Sequence, residues 1–169
     1  MAVKCPAILI FCGEGGHAEQ MRRLIANIQG KHDLPYVALM EGEFTLGDHE
    51  SHIIYRKSLI PLRSKHSDCL LLYKFFRGIS NFFLALFATI GVLWKFKINL
   101  VISTGPGLAI PIGIAGRLFK CRVVHLETWC RFSTKSFTGK YMYSIATEFL
   151  VQNSSLLKIY PKAKFVGLL

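Results

Sequence analysis

Short apolar runs alternate along this chain with segments whose apolar residues recur at helical spacing. Residues 7–12 form a nearly continuous apolar run, with the length and flanks of a buried parallel strand. A glycine turn, Gly13-Glu14-Gly15-Gly16-His17, follows at once. Met21, Leu24, Ile25 and Ile28 then repeat at helical spacing up to Gly30. The same reading predicts strands over 36–40, 53–55, 100–103, 122–126, 149–151 and 164–166. It predicts helices over 69–95, 108–119 and about 140–146, a helical turn over 156–160 and a loop over 41–50. Strands alternating with helices argue for an α/β fold, with a Rossmann-like, mostly parallel sheet covered by helices on both faces. No repeat, low-complexity tract or linker interrupts the pattern. Residues 1–169 therefore read as one domain, long enough to bury a normal core.

The segment around 69–97 departs from an ordinary surface helix. Residues 78–94 carry no charge. That is at the lower limit of the roughly 17–25 residues a spanning helix needs. Ser80, Asn81 and Thr89 interrupt it, which favours a helix lying in the membrane interface or packing on the domain. Lys74, Arg77, Lys95 and Lys97 flank the run and reach phosphates by snorkelling, while Phe82, Phe83, Phe87 and Trp94 supply its apolar bulk.

Charge extends this picture. Lys and Arg number 21 against 10 Asp and Glu, a formal net charge of +11, which favours anionic partners. No acidic residue lies between Asp68 and Glu127. Cations interleaved with Phe, Leu and Ile suit an anionic membrane surface better than a nucleic-acid groove, and no nucleic-acid module is present. The five cysteines are an odd number without a CxxC pair, so a reducing compartment is expected and a zinc cluster is not. The opening residues do not make a signal peptide, because their apolar run is short and enters a glycine turn.

In open parallel sheets ligands bind at the carboxyl ends of strands. Three segments lie there: 13–17, 104–107, and Glu127 with the loop after it. The first turn is neither G-x-G-x-x-G nor a P-loop, which removes support for a dinucleotide or nucleotide-hydrolysis site. Glycines after a strand still let backbone N–H groups approach an anion. His17 opens a helix, whose positive end favours a neutral imidazole able to take a hydroxyl proton. Glu127 at a strand end reads as an exposed acid that holds a sugar hydroxyl or orients a base. Arg131, Lys135 and Lys140 beyond it suit pyrophosphate. Glu19 reads as a cap of the first helix. Asp48-His49-Glu50-Ser51-His52 has metal-like residues but no supporting partners, so no metal site is assigned.

Taken in order, these motifs resemble the Alg14 family of oligosaccharide biosynthesis proteins and the PssD- and EpsE-type exopolysaccharide proteins of bacteria. The residues concerned are the Gly13–His17 turn with Met21, and Pro61-Leu62-Arg63-Ser64-Lys65. They continue with Gly105-Pro106-Gly107 and Pro111, and with Glu127, Arg131 and Ser133. Thr138-Gly139-Lys140, Gln152, and Tyr160-Pro161 with Gly167 complete the series. Leu62 is inserted relative to the family pattern, and Lys65 stands for an arginine.

The resemblance implies the N-terminal-type half of a GT-B glycosyltransferase split over two polypeptides. Such a half recruits a small catalytic subunit, corresponding to the C-terminal GT-B half, to the membrane. It helps bind a polyprenyl-pyrophosphate-linked sugar acceptor, while the UDP-sugar site lies mainly on the partner and no cofactor is bound by this chain. Gly13, Gly15, Gly16, Arg63, Gly105, Gly107, Arg131 and Lys140 become acceptor or pyrophosphate residues, and His17 or Glu127 the base. The expected location is the cytoplasmic face of the cell membrane, peripheral or monotopic. Eukaryotic relatives begin with a membrane helix, whereas this chain begins at its first strand, so the bacterial branch is expected. The alternative is a non-catalytic membrane scaffold or regulatory protein.

Overall fold

The computed structural model describes residues 6–42, 45, 47–61 and 71–169. Strand β1 (Pro6–Cys12) leads into helix α1 (Gly16–Ile28), then β2 (Tyr36–Glu41), a 3-10 turn (Gly47–His52) and β3 (Ile53–Leu59). The long helix α2 (Leu71–Lys95) precedes β4 (Lys97–Ser103), α3 (Ala109–Leu118) and β5 (Arg122–Leu126). Helix α4 (Phe137–Ile145), β6 (Glu148–Val151), a second 3-10 turn (Ser154–Lys158) and β7 (Lys164–Phe165) complete the chain.

The strands form a seven-stranded sheet in the order β3-β2-β1-β4-β5-β6-β7, with every pairing parallel. Ile10 lies in register with Ala38 on one side and Ile102 on the other. β1 and β4 are neighbours in space, and the chain order reverses between them. Such a reversal opens a crevice beyond the strand ends.

Side chains alternate across the sheet, so each strand feeds two apolar layers. Ile8, Ile10 and Cys12 join Met21 and Ile25 of α1 under one face. Leu9 and Phe11 join Val101, Val123 and Ile112 of α3 under the other, with Met142 of α4. Helix α1 therefore covers one face, and α2, α3 and α4 the other. Cys12 and Cys121 are buried free thiols.

Several boundaries differ from the sequence reading by a few residues; α4, for one, begins at Phe137 rather than near 140. β3 runs on to Leu59, where periodicity marks only 53–55. It is an edge strand with Arg56 and Lys57 turned to solvent, so its apolar signal fades before its backbone pairing ends. β4 begins at Lys97, its first residue exposed and its second buried.

Helix α2 is amphipathic in reverse. Its buried stripe is Asn81, Ala85, Thr89 and Val92, and its outward stripe includes Phe83, Leu84, Phe87 and Trp94. Asn81 donates to the Pro61 carbonyl at 2.7 Å, and Thr89 to the Ala85 carbonyl at 2.7 Å. Asn81 and Thr89 are thus satisfied inside, Ser80 is exposed, and the largest apolar side chains face outward. Phe82 is half-buried and Lys97 exposed. The Lys95 ammonium lies 4.8 Å from the Tyr55 ring centroid. The Lys74 side chain and Arg63 lie outside what the structure describes.

Candidate functional site

The turns after β1 and β4 interlock. A Cβ on Gly13 would sit 2.6 Å from Pro106 Cδ, and a Cβ on Gly105 would strike the Phe11 ring. The two glycines thus allow the turns to close over each other. This gives Gly13 and Gly105 a packing role in addition to the anion approach expected of them. Thr104 N–H donates to the Phe11 carbonyl at 3.1 Å and extends the pairing past the strand ends. Gly15 precedes α1, and no side chain caps that helix start. Gly16 is exposed, with nothing within 4 Å of where its side chain would be.

His17, in the first turn of α1, is half-buried. Its Nδ1 lies 2.6 Å from the Thr104 carbonyl oxygen, which can only accept, so Nδ1 carries the proton. The neutral ring then keeps an acceptor lone pair on Nε2. Burial lowers the pKa below the ordinary value of 6.5, against smaller opposing effects of the Thr104 carbonyl and the Glu127 charge. The neutral base form therefore prevails at neutral pH.

Glu127 lies just beyond β5, as expected, but it is buried rather than exposed, at 2%. Its Oε2 accepts from Tyr160 Oη at 3.0 Å and from Ser136 Oγ at 3.0 Å. Its Oε1 accepts from Thr128 N–H at 3.0 Å. Ser136 is also the N-cap of α4, accepting from Gly139 N–H at 2.8 Å. The carboxylate thus rests on a helix N-terminus, where a negative charge is stabilised. The same residue's backbone carbonyl accepts from Gln20 at 2.9 Å and Gln152 at 3.3 Å. Burial and the adjacent carboxylate together push the Tyr160 phenol well above its ordinary pKa, so it remains a donor. Glu127 is therefore a hub that fixes the β5 exit to α1, α4 and β6, with much of its acceptor capacity already committed.

These groups surround a cavity of about 370 Å³ at the chain-order reversal. His17 and Glu127 line it, with Thr104, Gly105 and Pro106 from the second turn. Thr128, Arg131, Ser136 and Thr138 add hydroxyls and one guanidinium, and His125 of β5 completes the wall. Of the predicted anion-binding residues, Gly105 and Arg131 line the cavity. Gly107 lies in the same turn, and Gly13, Gly15 and Gly16 in the facing one. Lys140 is exposed on α4, away from the lining, and Lys135 places its ammonium 5.1 Å from the Tyr160 ring centroid.

Other expectations resolve differently. Glu19 pairs with Arg22 and with Arg23, at 2.9 Å for the second, rather than capping α1. Glu50 pairs with Arg56, and His52 lies 3.3 Å from Gln29. No group of three or more possible metal ligands occurs among the described residues. Sequence reasoning placed Thr104 in a ligand-edge turn without giving it a role, missed His125 and Ser136 as site residues, and treated Tyr160 only as part of a closing motif. Hydroxyls and a strand histidine carry no periodic signal. In the structure His125 shares the α3 and α4 face of the sheet with Val123 and Phe149.

The sheet order and the position of the cavity define a GT-B N-terminal-type domain. The domain matches the crystal structure of MurG from Acinetobacter baumannii with a TM-score of 0.60 at 16% identity. The match covers 86% of this chain and 40% of that one. Residues 8–169 match the family model described as oligosaccharide biosynthesis protein Alg14 like, and the chain belongs to that family. Curated relatives named UDP-N-acetylglucosamine transferase subunit ALG14 include those of rat, Kluyveromyces lactis and human. The rat protein is 24% identical over 95% of this chain and 81% of its own length. The K. lactis protein is 28% identical over 96% and 78%, and the human protein 25% identical over 95% and 82%.

Proposed function

We propose that this chain is the membrane-attached, acceptor-binding subunit of a two-component glycosyltransferase. Its partner is a small catalytic subunit that carries most of the UDP-sugar site. The acceptor is a polyprenyl-pyrophosphate-linked sugar, bound with its sugar in the cavity between the two turns and its lipid directed toward the outward face of α2. The relatives' names support a transferase-subunit role, and the reversed amphipathicity of α2 supports a membrane seat. Because the inner face of α2 is packed on α3, lipid cannot surround the helix. That favours a monotopic helix on the cytoplasmic face over a spanning one.

The observation that carries this reading is His17. Its Nδ1 is engaged by Thr104, its ring is held neutral, and it lines a cavity rich in hydroxyls. Such an imidazole takes the proton of the attacking acceptor hydroxyl, or holds that hydroxyl for a base on the partner. Glu127, with its carboxylate bound by three protein donors, orients the site and is a poorer candidate for the base.

The test is sugar transfer by the reconstituted pair, compared with this chain alone. His17→Ala is expected to cost about 10²- to 10⁴-fold in kcat if the ring is the base. A loss confined to acceptor KM assigns it to positioning. Transfer by the single chain would overturn the two-component reading. Native kcat and KM in His17→Ala would favour the scaffold reading, to which the structural employment of Glu127 also lends weight.

A further inference from the structure

His125 is the penultimate residue of β5 and takes no part in the chemistry of His17 and Glu127. It sits at 2% exposure on β5, opposite Ser103 of β4, with the Phe149 ring 5.4 Å away on β6. Its Nδ1 is sealed from solvent without a hydrogen-bond partner. Folded proteins rarely leave a buried polar atom unpaired, and an aromatic hydrocarbon would pack against Phe149 without that cost. Yet the ring also forms part of the cavity wall, two residues before Glu127 and beside His17. The enclosed Nδ1 is out of a ligand's reach, but Nε2 is neither enclosed nor engaged by a protein group, and a polar atom so placed at a cavity wall is the mark of a contact that a ligand completes.

The surroundings select the ligand's chemistry. Burial, reinforced by nearby His17, lowers the His125 pKa to about 3, so the ring is neutral at neutral pH. A neutral imidazole nitrogen pairs with a hydroxyl or an amide whether it donates or accepts, whereas a phosphate oxygen can only accept from it and finds no charge there. Thr104 and Thr138 add hydroxyls around it, and Arg131, on the exposed loop, is the cation among the lining residues. The wall near His125 is suited to an uncharged polyol, and the Arg131 side to an anion.

We propose that His125 is a specificity-determining residue of this cavity, which hydrogen-bonds an uncharged ring substituent of the acceptor's saccharide. The proposal rests on the acceptor reading of the cavity. It places the sugar ring against β5 and leaves the pyrophosphate toward Arg131.

The test uses the full chain in detergent micelles, with isotope-labelled histidine side chains. N-acetylglucosamine and, separately, inorganic pyrophosphate are titrated while the imidazole resonances of His17 and His125 and the amide of Thr138 are followed. The sugar is expected to shift His125, and pyrophosphate is expected not to. His125→Phe is expected to bind the sugar roughly tenfold more weakly, the loss of one hydrogen bond in a dry site. Its melting temperature is expected to stay the same or rise by about 2–4 °C, because an unpaired buried nitrogen is removed. His125→Gln, which keeps a donor and an acceptor, is expected to recover part of the affinity, and it supplies the comparison should the phenylalanine variant misfold. A sugar that moves His17 and Thr138 but not His125 overturns this inference and leaves the acceptor reading standing. Native sugar affinity in His125→Phe does the same, as does a shift of His125 by pyrophosphate equal to that by the sugar. A sugar that moves none of the three residues removes both.

Discussion

His17 and Thr104 hold each other by two hydrogen bonds, from His17 Nδ1 to the Thr104 carbonyl at 2.6 Å and from Thr104 Oγ1 to the His17 carbonyl at 2.9 Å. One bond fixes the imidazole's proton, and the other ties the first turn of α1 to the end of β4. Thr104→Val keeps the side-chain shape and deletes only the second. It should cost about 1 kcal/mol of stability. It should also lower kcat of the reconstituted pair several-fold, because the ring's support loosens while its Nδ1 partner remains. Melting curves and steady-state transfer rates check both, and a native kcat would mean that the bond serves folding alone.

Tyr160 and Ser136 meet on one oxygen of Glu127. A hydrogen bond to a buried charged group is worth about 1.5–3 kcal/mol. Tyr160→Phe should therefore destabilise the chain by that amount, more than an ordinary surface change. Combining it with Ser136→Ala should give a loss different from the sum of the two, since both act through one carboxylate. A double-mutant cycle on thermal unfolding measures the difference. Strict additivity would show that Glu127 is not the hub the geometry describes.

The centre of the sheet was legible in the sequence because β1 and β2 are buried almost throughout and read as apolar runs. The edge strand β3 faded where Arg56 and Lys57 meet solvent. The site was legible only in outline. The glycine turns and Glu127 marked the strand ends correctly, because a parallel sheet places ligands there. What pattern alone does not reveal is which oxygen a buried carboxylate offers to which hydroxyl. Glu127 therefore read as exposed, although Ser136 and Tyr160 enclose it. The same holds for Gly13 and Gly105, whose small size admits Pro106 and the Phe11 ring, both distant in sequence.

The two cavity histidines should make the protein acid-labile. Both have folded pKa values below the ordinary 6.5, lowered chiefly by burial, and His125 falls to about 3. The unfolded chain therefore takes up these protons first as pH drops. The stability present above about pH 6.5 is lost progressively as pH falls toward 3. The charged groups near the pair are Glu127, beyond the same strand, and Arg131 on the following loop. Thermal unfolding between pH 7.5 and 4.5 should show a steady fall in melting temperature, and His125→Phe should flatten it. An equal slope in the variant would assign the lability to other groups.

Helix α2 presents Phe83, Phe87 at 65% exposure and Trp94 at 67% on its outward side, while Asn81 and Thr89 face the core. A helix meeting water would reverse that arrangement, because each large apolar side chain left exposed forgoes roughly 1.5–3 kcal/mol of transfer free energy. Seating these rings in the acyl boundary recovers several kcal/mol, and exposed Lys95 and Lys97 at the helix end meet anionic headgroups. Phe83→Glu combined with Phe87→Glu should leave the fold intact, since neither ring is buried. The pair should nonetheless abolish co-flotation with anionic liposomes. Lys97→Gln should weaken flotation at low salt and lose that effect at high salt. The wild-type chain should leave membranes in a high-salt or alkaline carbonate wash. Retention through both washes, together with undiminished flotation of the double glutamate variant, would assign α2 to a spanning helix instead.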